Sequence, residues 1–257
     1  MLESIKSFLS GCCSRLLVWV KNRLPVMTTW VKTGFSVLLQ LYAIGFFVGL
    51  GFWFAFVTVL TLTYPWEAKG AEIPRAALEY RSPLIRTARA VWGMDAPVAV
   101  FAAQIHTESL WKENARSSVG AEGLAQFMPS TSAWLPSVAP SLKGEKPAPY
   151  NPGWAMRALC EYDLWLWKQV KSAASACDRM AFTLSAYNGG IGWVGKDRAL
   201  SARVGRNPDR WFGHVSDVNA GRKASAFREN RDYVRRIMAR QRLYIKDGWG
   251  PGVVCES

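Results

Sequence analysis

The sequence predicts a mostly α-helical protein: one membrane-spanning helix followed by a soluble helical domain. Three observations predict it. Residues 33–66 contain no Asp, Glu, Lys or Arg. Downstream, apolar residues recur at the three- and four-residue spacing of amphipathic helices. No stretch of the chain alternates convincingly enough to read as a strand, and no segment repeats.

The chain has 257 residues, enough for one or two domains, and a formal net charge of +13. Residues 1–32 hold Lys6, Arg15, Lys21, Arg23 and Lys32 against Glu3, a net +4 that leaves +9 for the remainder. A basic protein of this kind suits an anionic membrane, an anionic wall polymer or nucleic acid. Charge alone does not choose among them, but no nucleic-acid recognition motif is present and no nucleic-acid partner is expected. The 13 tryptophans suit sugar stacking, core packing and membrane interfaces alike.

Residues 1–32 read as a basic cytoplasmic or interfacial segment. Leu9-Ser10-Gly11-Cys12 has the look of a lipidation site, but the residues before it include Glu3 and Lys6 and form no apolar signal core. Residues 33–66 read as a transmembrane helix with its core near 37–62. About 20 apolar residues suffice to cross a bilayer, and Trp30 and Tyr64–Trp66 suit the two interfaces. A cleaved signal peptide ending near Ala68-Lys69-Gly70 is the competing reading, but its apolar core would be shorter. The basic flank before the span puts the N-terminus in the cytoplasm and the rest outside. Gly45 and Gly49, at i and i+4, mark a candidate homodimer face within the span.

Residues 67–75 form a short tether containing Pro74. Residues 76–246 form the soluble domain, and 247–257 a Gly- and Pro-containing tail. A first helix is expected over about 76–92, interrupted near Pro83. A second starts with Asp95 as cap and Pro97 in the first turn and runs to about Glu113. Residues 136–149 read as a surface loop. Helices follow near 153–168, 178–187 and 229–245. Residues 196–228 are the least patterned part, a basic loop with Trp211-Phe212 that is a candidate cover for one end of a cleft.

On the second helix, Phe101, Ile105 and Glu108 fall at i, i+4 and i+7, one face. A carboxylate on an otherwise apolar face is costly to ionise, so its pKa rises. Such a glutamic acid keeps its proton near neutral pH and can donate it. The turn Gly120-Ala121-Glu122-Gly123 lets backbone approach a ligand closely, and Gln126 carries an amide suited to sugar hydroxyls. No persuasive second carboxylate stands nearby: Glu113 lies off the Glu108 face and Glu122 sits in the turn. His106 is two residues from Glu108, hence on another face, and with His214 supplies too few donors for a metal site. No metal and no cofactor is expected. Cys160, Cys177 and Cys255 would meet an oxidising space. A Cys160–Cys177 bridge is one option, though the two would sit at different heights in a helical hairpin. Cys255 is the odd one out or the alternative partner.

Four motifs carry a family resemblance. Glu108-Ser109 is followed by Ser117-x-x-Gly120-Ala121-x-Gly123-Leu124-x-Gln126-x-Met128-Pro129. Then come Tyr150-Asn151-Pro152, Ala186-Tyr187-Asn188-Gly189-Gly190, and Glu229-x-x-x-Tyr233-Val234. In this order the stretch resembles the soluble lytic transglycosylase domain, with its lysozyme-like fold, over about residues 75–245. One departure is Ala125, where the family often has methionine.

The resemblance implies a peptidoglycan-cleaving enzyme. Glu108 would protonate the glycosidic oxygen and then take a proton from the muramic-acid C6 hydroxyl, leaving a 1,6-anhydro end. Ser109 would help position the catalytic region, Ser117 and Gln126 would face the cleft, and Tyr187 would hydrogen-bond the catalytic carboxyl. Asn188 would shape the turn or touch ligand, and Glu229 and Tyr233 would contact site or substrate. The expected setting is a bacterial inner membrane with the catalytic domain in the periplasm and glycan strands as partner. Housekeeping remodelling, local opening of the wall for a secretion or conjugation apparatus, and phage entry or exit all suit a tethered enzyme, and an anchor beside a small catalytic domain favours local opening. A lysozyme-type hydrolase and a wall-binding assembly factor with weak activity are the rival readings.

Overall fold

The computed structural model describes residues 72–255. The basic segment 1–32, the span 33–66 with Gly45 and Gly49, and most of the tether lie outside the described residues. Among the described residues no helix is long and apolar enough to cross a membrane.

Seven α-helices make up the described chain: α1 Ala77–Trp92, α2 Val98–Ser109, α3 Pro129–Trp134, α4 Pro152–Gln169, α5 Ala176–Gly189, α6 Ile191–Arg203 and α7 Ala224–Lys246. The mostly α expectation holds for this part. The only β-type pairings among the described residues are isolated bridges, Arg116 with Glu122 and Glu122 with Phe127.

Local chemistry sets the boundaries. Asn151 accepts the Trp154 N–H at 3.0 Å and Pro152 fills the first turn of α4. Ser175 accepts the Asp178 N–H at 3.0 Å and so opens α5. Three boundaries differ from the sequence expectation. First, α1 runs unbroken through Pro83, which falls early in the helix on a part-exposed face, where water can satisfy the freed carbonyl. Second, α2 stops at Ser109 rather than Glu113, because Leu110 (φ 54°) and Trp111 (φ 63°) turn left-handed, and Asp95 makes no side-chain cap. Third, residues 196–228 hold more helix than their pattern showed: α6 reaches Arg203 and α7 starts at Ala224. Trp211 is buried there and only Phe212 is exposed.

Packing places α2 at the centre. Val98 through Ile105 are fully buried, all round the helix. α7 lies against α2 and also against α5, and α4 packs on α1 and α5. The buried stripe of α7 is Asn230, Tyr233, Val234, Ile237, Met238, Gln241 and Tyr244, at the i, i+3, i+4, i+7 spacing that faces one core. Each apolar side chain fully buried there stabilises the packing by about 1.5–3 kcal/mol.

The tail folds back. Ala99 N–H donates to Pro251 O at 3.0 Å, Val253 N–H donates to Gln241 Oε1 at 2.8 Å, and Trp249 is buried. Cys255 forms a disulfide with Cys177, and Cys160 is free and buried. The Cys160–Cys177 option therefore falls and Cys255 is the partner. The tail brings it to Cys177 with a Cα–Cα distance of 5.1 Å, within bridging range, whereas Cys160 faces the core.

Candidate active site

Glu108 sits in the last turn of α2, where the helix leaves the core and the side chain is part-buried. Because α7 packs across α2, Tyr233 O–H donates to Glu108 Oε1 at 2.6 Å. Burial pushes the Glu108 pKa up from 4.5 to about 7. The Tyr233 hydrogen bond and the charge of Arg236 pull it down, and Glu229 pushes it up. Desolvation is the largest of these causes, so the carboxyl holds a proton near neutrality and can release it.

The other predicted residues divide between the carboxyl and its surroundings. Tyr233 touches Glu108 directly. Glu229 is exposed one turn before Tyr233, on the edge of a 300 Å³ pocket that Asn188, Gly189, Trp193, Arg222, Lys223 and Ala226 also line. Tyr187 does not bond the carboxyl. Its hydroxyl donates to Ala125 O at 2.7 Å while its ring stacks on Tyr233 at 6.4 Å. Ser109 is buried and donates to Ile105 O at 3.3 Å. Asn188 accepts from Asn230 Nδ2 at 3.0 Å, which also ties Asn230 to Ser185 O at 2.9 Å. Asn188 is thus anchored by its turn.

Ser117 and Gln126 hold the loop that faces Glu108's helix end. Ser117 Oγ accepts the Ala121 N–H at 2.9 Å. Gln126 Nε2 donates to Gly123 O at 2.9 Å and to Ala115 O at 3.1 Å, with its own backbone left-handed at φ 49°. Gly123 is required: a Cβ there would lie 1.8 Å from Pro149 O, and its φ is +72°. These polar side chains fix backbone first.

Two groups behind the carboxyl escaped the motif reading. Gln104, one helical turn before Glu108 on the same face, and Asp163 of α4 are both fully buried. Burial raises the Asp163 pKa well above the ordinary carboxylate range, Gln104 lowers it, and Glu108 raises it further. Neither Asp163 oxygen finds a hydrogen bond of good geometry, nor does the Gln104 amide, so Asp163 is held neutral. The signal was available: Asp163 interrupts the run Tyr162-Asp-Leu-Trp-Leu-Trp167, and an amide at position 104 breaks an otherwise apolar helix.

His106 faces away from Glu108. Trp111 Nε1–H donates to Tyr244 Oη at 2.8 Å, and Tyr244 Oη lies 2.9 Å from His106 Nδ1. Burial, aided by Arg240, lowers the His106 pKa to about 4, so the ring is neutral near pH 7 and shares one hydrogen bond with the Tyr244 hydroxyl. Glu113, the nearer rival carboxylate in sequence, is engaged by Tyr80 O–H at 3.1 Å.

Fold and site together define a helical domain built around one acid-tuned glutamate at the end of a central buried helix. Residues 84–209 match the transglycosylase SLT domain. The membrane-bound lytic murein transglycosylase F of Mannheimia succiniciproducens is 31% identical over 113 residues, covering 44% of this chain and 22% of that protein. The Haemophilus influenzae protein of the same description is 29% identical over the same length and coverage. The chain thus matches about a fifth of the length of these relatives. The X-ray structure of an inactive mutant of lytic transglycosylase Slt from Pseudomonas aeruginosa superposes with a TM-score of 0.51 at 18% identity. The match covers 81% of this chain and 30% of that one, a likeness of fold.

Proposed function

We propose that this protein is a membrane-anchored lytic transglycosylase of peptidoglycan with Glu108 as its acid and base. The observation that carries the reading is the Glu108 carboxyl, raised to about 7 by burial and held by Tyr233 O–H at 2.6 Å. Glu108 donates its proton to the leaving oxygen of the MurNAc–GlcNAc β-1,4 bond. The C1–O bond breaks, with the substrate's acetamido group supporting the developing positive charge. The C6 hydroxyl then attacks C1 and gives its proton to the Glu108 carboxylate, which closes a 1,6-anhydro ring and restores the acid without consuming water.

A hydrolase needs a second carboxylate across the bond to act as nucleophile or to activate water. Asp163 is fully buried and cannot serve. Glu229 is exposed and close enough to raise the Glu108 pKa, which is the one feature that favours a hydrolase. The reading also takes residues 33–66 as a retained anchor with the catalytic domain in the periplasm. The Cys177–Cys255 bridge supports an oxidising compartment. Local opening of the wall for a secretion or conjugation apparatus, or for a phage, is the setting that suits a tethered enzyme of this size.

Digestion of purified sacculi, with mass spectrometry of the products, tests the reaction. Anhydro ends one water lighter than reducing ends are expected from the wild type, and no products from Glu108→Gln. Reducing ends would assign the hydrolase, and cleavage by Glu108→Gln at the wild-type rate would remove the acid.

A further inference from the structure

The outer face of α7 is a basic stripe that neither the packing of the domain nor the chemistry at Glu108 uses. The helix carries seven Lys and Arg residues against Glu229 and Asp232. Two of the seven serve the domain itself. Arg231 Nη2 donates to Asp197 Oδ2 at 2.9 Å, and Arg240 Nη1 donates to Thr107 Oγ1 at 2.6 Å. Arg228, Arg235, Arg242 and Lys246 are exposed. Among the described residues, Arg235 pairs with Asp232, while the charged ends of Arg228, Arg242 and Lys246 meet no protein partner. At the α-helical repeat these four fall within about 40° of arc and run about 27 Å along the axis. They stand opposite the face that α7 buries.

A row of cations without counter-ions suits a surface of closely spaced negative charges. Two features of the fold choose between such surfaces. Tyr233 and Arg240, the edge of α7 that meets the end of α2, lie about 140° round the helix from the stripe. A glycan strand at Glu108 therefore meets the carboxyl edge and not the stripe, and a surface seated on the stripe leaves the carboxyl free. The second feature is where the stripe ends. Arg81, in the second turn of α1, donates to the carbonyls of Asp247 and Gly248 at 2.9 Å each, so Lys246 stands close to the start of the domain. On the anchored reading the chain enters α1 from the bilayer through residues 67–75, which reach at most about 30 Å when extended. The stripe thus begins where the chain is held to the membrane.

We propose that Arg228, Arg235, Arg242 and Lys246 form a docking surface for the headgroups of anionic phospholipids, which lays α7 along the bilayer and turns the Glu108 edge away from it. The proposal rests on the retained-anchor reading of residues 33–66 for the nearness of lipid, and on the placement of the four cations for the face that docks. The contact is electrostatic: the stripe holds no large apolar side chain to insert, so it lies at headgroup level and weakens with salt. The anchor confines the domain, and the stripe orients it.

The test uses the full chain in nanodiscs of phosphatidylcholine, with or without phosphatidylglycerol. A donor dye is placed on Ala239→Cys, exposed within the stripe, with Cys12→Ser and Cys13→Ser to direct the label, and an acceptor dye is carried on the lipid headgroups. Energy transfer is expected to be higher in the anionic discs and to fall to the neutral level in 1 M salt. Each basic residue at such a surface strengthens binding about fivefold, so Arg228→Glu/Arg242→Glu should lower the ratio of docked to undocked domain about 25-fold or more and abolish the difference between discs. Arg228→Lys/Arg242→Lys should keep it, which excludes a folding defect. Lys143→Glu/Lys146→Glu, on an exposed loop, changes net charge equally and should also keep it. Equal transfer in the two discs overturns the proposal, and so does an equal effect of the two charge-reversed pairs, which would assign the effect to net charge. A stripe variant that loses binding to purified sacculi while its transfer is unchanged assigns the stripe to the wall and overturns the lipid surface. Retention of the full chain in neutral discs tests the anchor separately: a chain that leaves neutral discs and stays on anionic ones removes the anchor and supports the stripe.

Discussion

The strongest quantitative consequence of the site is that its acid destabilises the protein that carries it. The Glu108 pKa is 4.5 ordinarily and about 7 in the fold. The folded state therefore binds this proton more tightly than the unfolded chain. That stabilisation is complete below pH 4.5 and is lost as pH rises through 7. At pH 8 the shift corresponds to about 3 kcal/mol. Since the side chain is only part-buried and water screens the carboxylate, about 2 kcal/mol is a fair expectation after that discount. Glu108→Gln keeps an acceptor for Tyr233 O–H and removes the ionisation. For a domain of this size each kcal/mol moves Tm by about 2–4 °C. The variant should melt about 4–8 °C above the wild type at pH 8, with the gap closing by pH 4. Thermal melts of both proteins across that range check it. A gap independent of pH, or a variant less stable at pH 8, would falsify the account of a carboxyl made acidic-resistant by burial.

Tyr233→Phe removes the hydrogen bond that favours the ionised carboxyl. The alkaline limb of the pH–rate profile should move up by about one to two pH units, with a lower maximal rate because the carboxyl is less firmly placed; a limb that stays put refutes the coupling. Reducing Cys177–Cys255 frees a closed loop of 78 residues, which by loop entropy lowers stability by up to about 4.5 kcal/mol. A melt with and without reductant measures this, and no change in Tm would mean the bridge is absent in solution. Gly123→Ala places a methyl 1.8 Å from Pro149 O at a positive φ, and activity should fall at least tenfold as the Ser117–Gln126 loop shifts. Wild-type turnover would show that this loop does not shape the site. The buried neutral His106, with its pKa lowered to about 4, works in the opposite sense to Glu108: its contribution is present above pH 6.5 and is lost as pH falls toward 4. His106→Gln should therefore flatten the acid side of the stability curve.

The helices and the candidate acid were legible in the sequence because both depend on local pattern. Glu108 could be singled out from its apolar face and its motif, and the α7 stripe follows from spacing alone. What sequence could not supply was pairing across distance. Tyr187 and Tyr233 are both plausible partners for a carboxyl, and only the crossing of α2 and α7 gives the bond to Tyr233 and leaves Tyr187 to Ala125 O. The same holds for the disulfide, which depends on where the tail returns rather than on the spacing of Cys160 and Cys177. Residues 196–228 looked unpatterned because their order comes from long-range polar contacts. Buried Asp197 receives Arg222 Nη2 at 3.0 Å and Arg231 Nη2 at 2.9 Å, and Arg231 also donates to the carbonyls of Val215, Ser216 and Val218. Hydrophobic periodicity does not register a loop held by a carboxylate.

The returning tail has an architectural consequence. Arg81 of α1 donates to the carbonyls of Asp247 and Gly248 at 2.9 Å each, so the first helix of the domain and the segment that follows its last helix are neighbours. Domain ends that lie at the surface can be joined and the chain reopened elsewhere. A linker long enough to return from Cys255, which is held at Cys177, to residue 72, with new termini cut at the exposed segment 143–147, should yield a circular permutant with the same helical scaffold. Such a molecule would let the domain be attached from a different point of its surface while the carboxyl and its tyrosine stay as they are.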